Sequence, residues 1–346
     1  MAKSKRALDF FNEKVAIGSV HAGPIFMDWG VKNMWIGLIA VDGHGGFPNL
    51  ALMRISAWHK RQGDHVEWWN GFTRYDRVYL SKIFTFTPDF DTVIHADEVI
   101  TGGTGYKDYG CLPSEVETCS PDYTMYPNWE PAVGFLTRGC VRHCEWCLVP
   151  RKEGLIRPAA TWTDIKRPDS RRIIFLDNNV LASEHGLEQI DRMGGEPVWV
   201  NFNQGLDVRF ITPDIARLLA RLHWIRFIRF ACDTSDMLPV IQQATVYLRE
   251  AGAAPSRFWA YVLVRDVVDA HRRVLALRDM GVTPFAQPYR DYDGGEPTDE
   301  QQQFARWVNQ KVLFKSCNWE DFRQERHEAA SILKMRQSKK GAGLFQ

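Results

Sequence analysis

The residues of this chain whose spacing is best suited to chemistry are three cysteines in one short loop. Cys140, Cys144 and Cys147 follow one another as Cys-x3-Cys-x2-Cys, and Gly139 precedes the first of them. Thiolates at this spacing suit a 4Fe-4S cluster in which the protein binds three irons and leaves one iron open. The open iron would be the reactive position. The loop therefore predicts a metal-binding centre with catalytic activity.

Zinc is the alternative metal for this loop. A zinc site would need a fourth ligand, from His143 or from a cysteine elsewhere in the chain. Zinc sites more often pair two-cysteine knuckles than crowd three cysteines into one loop, which makes zinc the weaker interpretation. Disulfides are disfavoured because seven cysteines is an odd number in a chain without a signal peptide. We expect the other cysteines to be buried or incidental thiols: Cys111, Cys119, Cys232 and Cys317.

Composition sets the broad class of the protein. Its 346 residues suit about two domains with a buried core. Lysine and arginine together (43) nearly balance aspartate and glutamate (42), so no overall basic field indicates a nucleic-acid partner. No apolar run reaches the roughly 18 residues that a membrane span needs. These features predict a cytoplasmic enzyme with reduced thiols and no membrane partner.

From residue 132 onward the pattern alternates between strands and amphipathic helices. The strand segments are rich in β-branched and aromatic residues, and the helical segments carry apolar residues at helical spacing. Six such units predict a parallel sheet with right-handed crossovers, and six are too few for a closed eight-stranded barrel. The predicted strands are 132–136, 172–177, 197–202, 225–231, 258–264 and 282–287.

Polar residues follow each predicted strand. Sites in sheets of this kind lie at the carboxyl ends of the strands, so we expect these residues to face one mouth. Each one alone could equally be a cap or a turn residue, but their joint occurrence beside the cysteine loop favours the functional interpretation. Arg265 and Tyr289 follow the last two strands. The candidate ligand contacts after the second, third and fourth strands are Asp177, Asn178, Asn179, Gln204, Asp207 and Asp233.

At the cysteine loop the chain resembles the radical S-adenosylmethionine (radical SAM) superfamily. The signature of that superfamily is the same cysteine spacing with an aromatic residue directly before the third cysteine, which is Trp146 here. The resemblance extends over residues 34 to about 320, and it is to uncharacterised bacterial and phage members with an N-terminal cobalamin-binding-like domain. It is also carried by the segments PNLALMRISAWHKRQGD, SKIFTFTPDF, GGTGY, PDYTMYPNWE, FNQGLDVRF and FARWVNQKVLFKSC.

The resemblance implies both a fold and an activity. The fold would be a partial (βα)6, TIM-like barrel. The activity would be reductive cleavage of S-adenosyl-L-methionine to a 5′-deoxyadenosyl radical that acts on an unknown substrate, with the electron supplied by a reducing partner such as flavodoxin or ferredoxin. The end of the second strand would contact the methionine ammonium, later strand ends would bind the ribose, and Trp146 would pack beside adenine. The chain lacks the glycine-glycine-glutamate that many members have after the second strand.

The segment before the barrel predicts a small Rossmann-like α/β domain. Residues 34–41 are typical of an apolar strand, and residues 48–63 of an amphipathic helix that ends at a glycine. The intervening DGHGGF resembles the cobalt-binding motif Asp-x-His-x-x-Gly with His44 at the ligand position, but Phe47 stands where the last glycine belongs. We therefore expect no cobalamin here, and expect the domain to act as a lid or docking surface over the barrel.

Four segments result from these predictions. They are an N-terminal extension (1–33), a degenerate cobalamin-binding-like α/β domain (34–128), a radical SAM partial barrel (129–292) and a C-terminal helical segment and tail (293–346).

Two alternative functions stay open. One is an RNA-modifying enzyme like the radical SAM methylthiotransferases, which carry three further N-terminal cysteines and an RNA-binding module, whereas only Cys111 and Cys119 precede the loop here. The other is a non-catalytic iron-sulfur or zinc protein.

Overall fold

The computed structural model describes residues 33–43, 45–291 and 295–324. Within these residues no helix is both long and apolar enough to cross a membrane. The chain forms sheets of parallel strands with helices packed against them, which confirms the predicted α/β class. His44, the predicted position of a cobalt ligand, lies outside the described residues. So do residues 1–32, and the predicted domain boundaries stay predictions.

Four parallel strands form the sheet nearer the N-terminus. They are β1 (Trp35–Ala40), β2 (His65–Trp68), β3 (Tyr75–Ser81) and β4 (Ala96–Gly102), in the spatial order β2-β1-β3-β4. The helix α1 (Leu50–Arg61) follows β1 and buries an apolar face that includes Leu52 and Met53. It begins at Leu50 because the Asn49 side chain accepts a hydrogen bond from the amide of Leu52. This sheet confirms the predicted strand and helix of the N-terminal segment.

The other strands lie in the second part of the chain. Those that form parallel pairs are β5 (Ala132–Gly134), β8 (Arg172–Phe175), β9 (Trp199–Phe202), β10 (His223–Trp224), β11 (Ile228–Ala231), β12 (Phe258–Val264) and β13 (Thr283–Pro288). One sheet has the order β10-β9-β8-β5, and another has the order β11-β12-β13. The short strands β6 (Thr137–Arg138) and β7 (Arg157–Pro158) pair antiparallel on either side of the cysteine loop.

A backbone contact joins these two parallel sheets. The amide of Leu206, just after β9, donates to the carbonyl of Arg229 in β11 at 2.7 Å, and Leu206 forms a parallel bridge with Phe230. The strands β5, β8, β9, β11, β12 and β13 therefore follow one another in sequence order, each near its predicted position. The predicted fourth strand, 225–231, is shorter in the structure, where β11 begins only at Ile228 and pairs with β12. The two-residue strand β10 lies directly before the predicted segment and pairs with β9.

Helices cover these strands and bury one apolar face each. Several begin at side-chain caps that the sequence provides, including Ser183, Thr212 and Asp266. The shared core is aromatic at its centre, where the rings of Phe175 and Phe202 stack at 5.1 Å. The remaining helices are α2 (Ser114–Glu117), α3 (Val149–Lys152), α4 (Trp162–Ile165), α5 (Glu184–Met193), α6 (Pro213–Ala220), α7 (Met237–Glu250), α8 (Val267–Asp279), α9 (Asp299–Asn309) and α10 (Lys311–Ser316).

Candidate functional site

The cysteine loop lies between β6 and α3, and its base depends on one glycine. Gly139 has a φ of +82°, and a Cβ at this position would collide with the backbone carbonyls of Gly154 and Leu155. The amide of Cys140 donates to the carbonyl of Gly154 at 3.2 Å. Glycine is therefore required where the two ends of the loop pass each other.

Glu153, directly after α3, ties the base of the loop together. Its carboxylate accepts hydrogen bonds from the Arg138 guanidinium at 3.0 and 3.1 Å, from the Gly139 amide at 3.0 Å and from Asn178 Nδ2 at 3.0 Å. The side chain is only 7% exposed, so its charge is held among these donors. Glu153 was not predicted from the sequence, because its role depends on partners that the fold brings to it.

The three cysteine thiols are carried by one loop, and each residue is partly exposed. Cys140 Sγ accepts hydrogen bonds from the Arg142 amide at 3.3 Å and from Asn179 Nδ2 at 3.5 Å. Burial raises the pKa of Cys144 and of Cys147, and the Cys140 thiol raises both further. In the described part of the chain no group of three or more His, Cys, Asp or Glu side chains converges on a point that would hold one metal ion. The cysteines of a 4Fe-4S cluster each bind a different iron, so they do not need to converge on one point.

Asp177, a predicted ligand contact, is bonded within the protein. Its carboxylate accepts hydrogen bonds from the amides of Leu136 and Thr137 at 3.1 and 2.6 Å and from Thr137 Oγ1 at 2.8 Å. The residue is 1% exposed, and burial raises its pKa to about 6 even though the three donors favour the charged form. These bonds fasten the end of β8 to the segment that leads into the cysteine loop. This structural role of Asp177 was not predicted from the sequence, and its contact with a ligand stays a prediction.

The two asparagines after Asp177 reach the cysteine loop. Asn178 bonds to Glu153 at the base of the loop. Asn179 Nδ2 donates to Cys140 Sγ and also to Asp207 Oδ2 at 3.2 Å. Among the described residues, the buried Oδ1 of Asn179 has no hydrogen-bond partner. A buried acceptor without a donor costs free energy, so this oxygen is suited to a ligand with N–H groups.

Asp207 connects the loop to the end of β9. Its carboxylate bonds to Arg209 at 2.6 and 2.9 Å and to Arg142 Nε at 3.2 Å. Burial raises the pKa of Asp207, but the bonds and charge of Arg209 and the charge of Arg142 outweigh burial and hold the pKa below its usual value. Gln204, predicted for the same strand end, is exposed. The predicted role of Asp207 in ribose binding is untested.

Trp146 connects the loop to the ends of β11 and β12. Burial raises the pKa of Asp233, and a hydrogen bond from the Trp146 side chain opposes that effect. The guanidinium carbon of Arg265, after β12, lies 4.9 Å from the centre of the Trp146 ring and 5.7 Å from that of Tyr289, after β13. The cysteine loop therefore touches residues that follow four different strands, as the parallel order of the strands requires.

No family model matches this chain, and neither does any curated protein. The function must therefore be argued from the residues of the site. Its components, among the described residues, are three thiols on one loop, the buried Oδ1 of Asn179 without a hydrogen-bond donor, and paired charges at the ends of adjacent parallel strands.

Proposed function

We propose that the protein is a radical SAM enzyme that binds a 4Fe-4S cluster through Cys140, Cys144 and Cys147. The observation that carries the proposal is the contact between Asn179 and Cys140, because it joins the cysteine loop to the end of β8. The family resemblance places the methionine ammonium of S-adenosylmethionine at that strand end. The ammonium nitrogen carries three N–H donors, and one of them would bond to the Oδ1 of Asn179, which has no partner among the described residues.

We also infer that the six sequential parallel strands curve into one partial barrel. The bridge between Leu206 and Phe230 supports this, because it continues the ladder from β9 to β11. Tyr261, in β12, supports it as well, since its hydroxyl donates to the carbonyl of Asn203 beyond β9 at 2.9 Å. A side chain can reach from the fifth strand to the third in this way when the sheet is concave.

The residues present fit a cluster with one open iron. The loop offers three thiols without disulfide partners, and two N–H donors are aimed at Cys140 Sγ. Hydrogen bonds to the sulfurs are one of the means by which proteins set the reduction potential of such clusters. When bound and reduced, the cluster would supply the electron that cleaves S-adenosylmethionine. The part of the protein is to bind and orient the cofactor and to exclude water.

The N-terminal sheet lies against the same mouth. Lys152, at the end of α3, donates to Thr104 Oγ1 just after β4 at 2.9 Å. The guanidinium of Arg290, after β13, covers the ring of Phe86, after β3, at 4.2 Å. The carboxyl ends of both groups of strands therefore meet. This supports a role of the N-terminal sheet as a cover over the reaction centre.

We expect Asn179→Ala to weaken the binding of S-adenosylmethionine about tenfold or more, because the variant removes an acceptor for the charged ammonium. Equilibrium dialysis of labelled S-adenosylmethionine against anaerobically reconstituted protein, compared at equal iron content, measures this. Asn70→Ala is the matched control, since the side chain of Asn70 bonds within its own exposed turn and to Glu67. Equal affinity of Asn179→Ala and wild type would remove the role assigned to Asn179.

A further inference from the structure

One guanidinium lies on the inner face of the joined parallel sheets. Ile228 and Phe230, on either side of Arg229 in β11, lie in the core that the strands share with the helices. Since successive side chains of a strand point to opposite faces, Arg229 faces away from that core. Its backbone partner in β12, Trp259, faces the same way, because the adjacent Ala260 lies in the core. Arg229 therefore belongs to the inner surface of the sheets, opposite the helices.

Aromatic rings flank the guanidinium of Arg229. Its carbon Cζ lies 5.4 Å from the centre of the Trp259 ring and 6.0 Å from that of Phe227. Trp259 stacks in turn against Phe227 at 5.9 Å and against Phe285 of β13 at 5.2 Å. The ring of Tyr261 packs edge-on against Trp259 at 4.3 Å. Among these apolar rings the attraction between opposite charges is stronger than it is in water.

Among the described residues no carboxylate pairs with the guanidinium of Arg229. Its Nε and Nη1 are buried and have no hydrogen-bond partner in that part of the chain. Burial lowers the pKa of Arg229, the hydroxyl of Tyr261 opposes this effect, and the charge of Arg226 lowers the pKa further. Three other arginines with largely buried side chains each pair with a carboxylate: Arg77, Arg138 and Arg273. A buried cation without acceptors costs free energy, so this position favours an anion.

Asn201 of β9 is a second sign that the inner surface takes polar groups. Its neighbours Val200 and Phe202 lie in the core with the helices, so Asn201 faces the same way as Arg229. Asn201 is only 6% exposed, and among the described residues its Oδ1 has no donor. The inner surface therefore carries both N–H donors and an acceptor that have no partner in the described chain.

We propose that Arg229 is a binding site for the anionic group of a small organic molecule, either a carboxylate or a phosphate. A guanidinium binds two oxygens of either group through N–H donors along one edge. Arg229 as a whole is partly exposed, so a small molecule can reach it from solvent. The partly exposed rings of Phe227 and Phe285 favour an organic molecule over an inorganic ion, because its apolar part can pack against them. Arg229 lies four residues before Asp233, and therefore below the strand ends to which the resemblance assigns the cofactor.

Thermal unfolding of the reconstituted protein tests the proposal with benzoate, phenyl phosphate and uncharged benzamide at equal ionic strength. At least one of the two anions, at about 10 mM, should raise the Tm of wild type by about 2 °C or more, and benzamide should not. Arg229→Met should abolish this shift. Without a probe, the Tm of Arg229→Met should equal or exceed that of wild type, because methionine keeps apolar contacts and removes an unpaired charge. Arg272→Met, which removes an exposed arginine of α8, is the matched control and should keep the shift.

The relative size of the two shifts identifies the anion: a larger shift with benzoate assigns a carboxylate, and a larger shift with phenyl phosphate assigns a phosphate. The site is overturned if neither anion exceeds benzamide, or if Arg229→Met keeps the shift. A Tm of Arg229→Met well below that of wild type would show that the guanidinium has a structural partner, which also contradicts the site. A shift that excess S-adenosylmethionine removes would assign Arg229 to the carboxylate of that cofactor and overturn a separate site.

The anion site does not depend on the cluster. Iron and sulfide are measured on the same protein, and Cys144→Ala should show the same shift as wild type. A loaded cluster without a shift overturns this inference alone. An Arg229-dependent shift in wild-type protein that cannot hold a cluster overturns only the proposed function.

Discussion

Replacing any one of Cys140, Cys144 and Cys147 with alanine is expected to remove most of the visible absorption of the anaerobically reconstituted protein. A cluster bound by three thiolates loses a third of its protein ligands in each variant, and no other cysteine is placed by the sequence to replace the lost one. Wild type should contain about four irons and four sulfides per chain. Absorption spectra and chemical analysis of iron and sulfide measure the effect directly.

Two cysteines outside the loop serve as matched controls for this experiment. Cys111 is exposed, and the thiol of Cys317 donates to the carbonyl of Leu313 within its own helix. Alanine at either position should leave the iron and sulfide contents unchanged. Stoichiometric zinc without sulfide in wild type would contradict the cluster and favour the zinc alternative instead.

The second large effect is expected in the pH dependence of stability, through Asp177. Its pKa of about 6 in the folded protein is above the usual value of 3.8, so the folded state binds this proton more tightly than the unfolded chain does. The contribution of Asp177 to the free energy of unfolding is therefore fully present well below pH 3.8 and is lost as the pH rises through about 6. At 1.36 kcal/mol per pH unit, the loss is about 3 kcal/mol.

Asp177→Asn isolates this contribution because an amide of the same size does not titrate. Urea unfolding of wild type and variant at pH 4, 5, 6 and 7 should show the difference between their unfolding free energies decreasing by about 2 kcal/mol from pH 4 to pH 7, with most of the decrease between pH 4 and pH 6. A difference that instead increases over this range would mean that the Leu136 and Thr137 donors outweigh burial and keep Asp177 charged.

The local sequence pattern was sufficient to predict many of the strands and helices. The segments that form β8, β9, β12 and β13 are short, apolar and rich in β-branched or aromatic residues, and the intervening helices have clear caps, so both were predictable. The fourth strand was predicted from residue 225, but β11 begins at Ile228, and the preceding β10 was not predicted. Here the chain changes its pairing partner from β9 to β12, and the composition of one strand does not record which neighbours it pairs with.

The candidate site was predictable to the level of residue positions but not of contacts. Asn179 was expected near the loop because it follows a parallel strand, and its bond to Cys140 agrees with that argument. Asp177 also follows a parallel strand, but its carboxylate accepts hydrogen bonds from backbone amides. The type and position of a polar residue alone do not reveal such bonds. The role of Glu153 depends on which donors the fold places beside its carboxylate, and no local pattern encodes that.

The central claim is tested most directly by assaying 5′-deoxyadenosine. Anaerobically reconstituted protein, reduced with dithionite and given S-adenosylmethionine, should form 5′-deoxyadenosine that is detected by liquid chromatography and mass spectrometry. Cys144→Ala should form none, and Cys111→Ala should match wild type. Wild type that carries about four irons and four sulfides, binds S-adenosylmethionine and still forms no 5′-deoxyadenosine would contradict the proposed function.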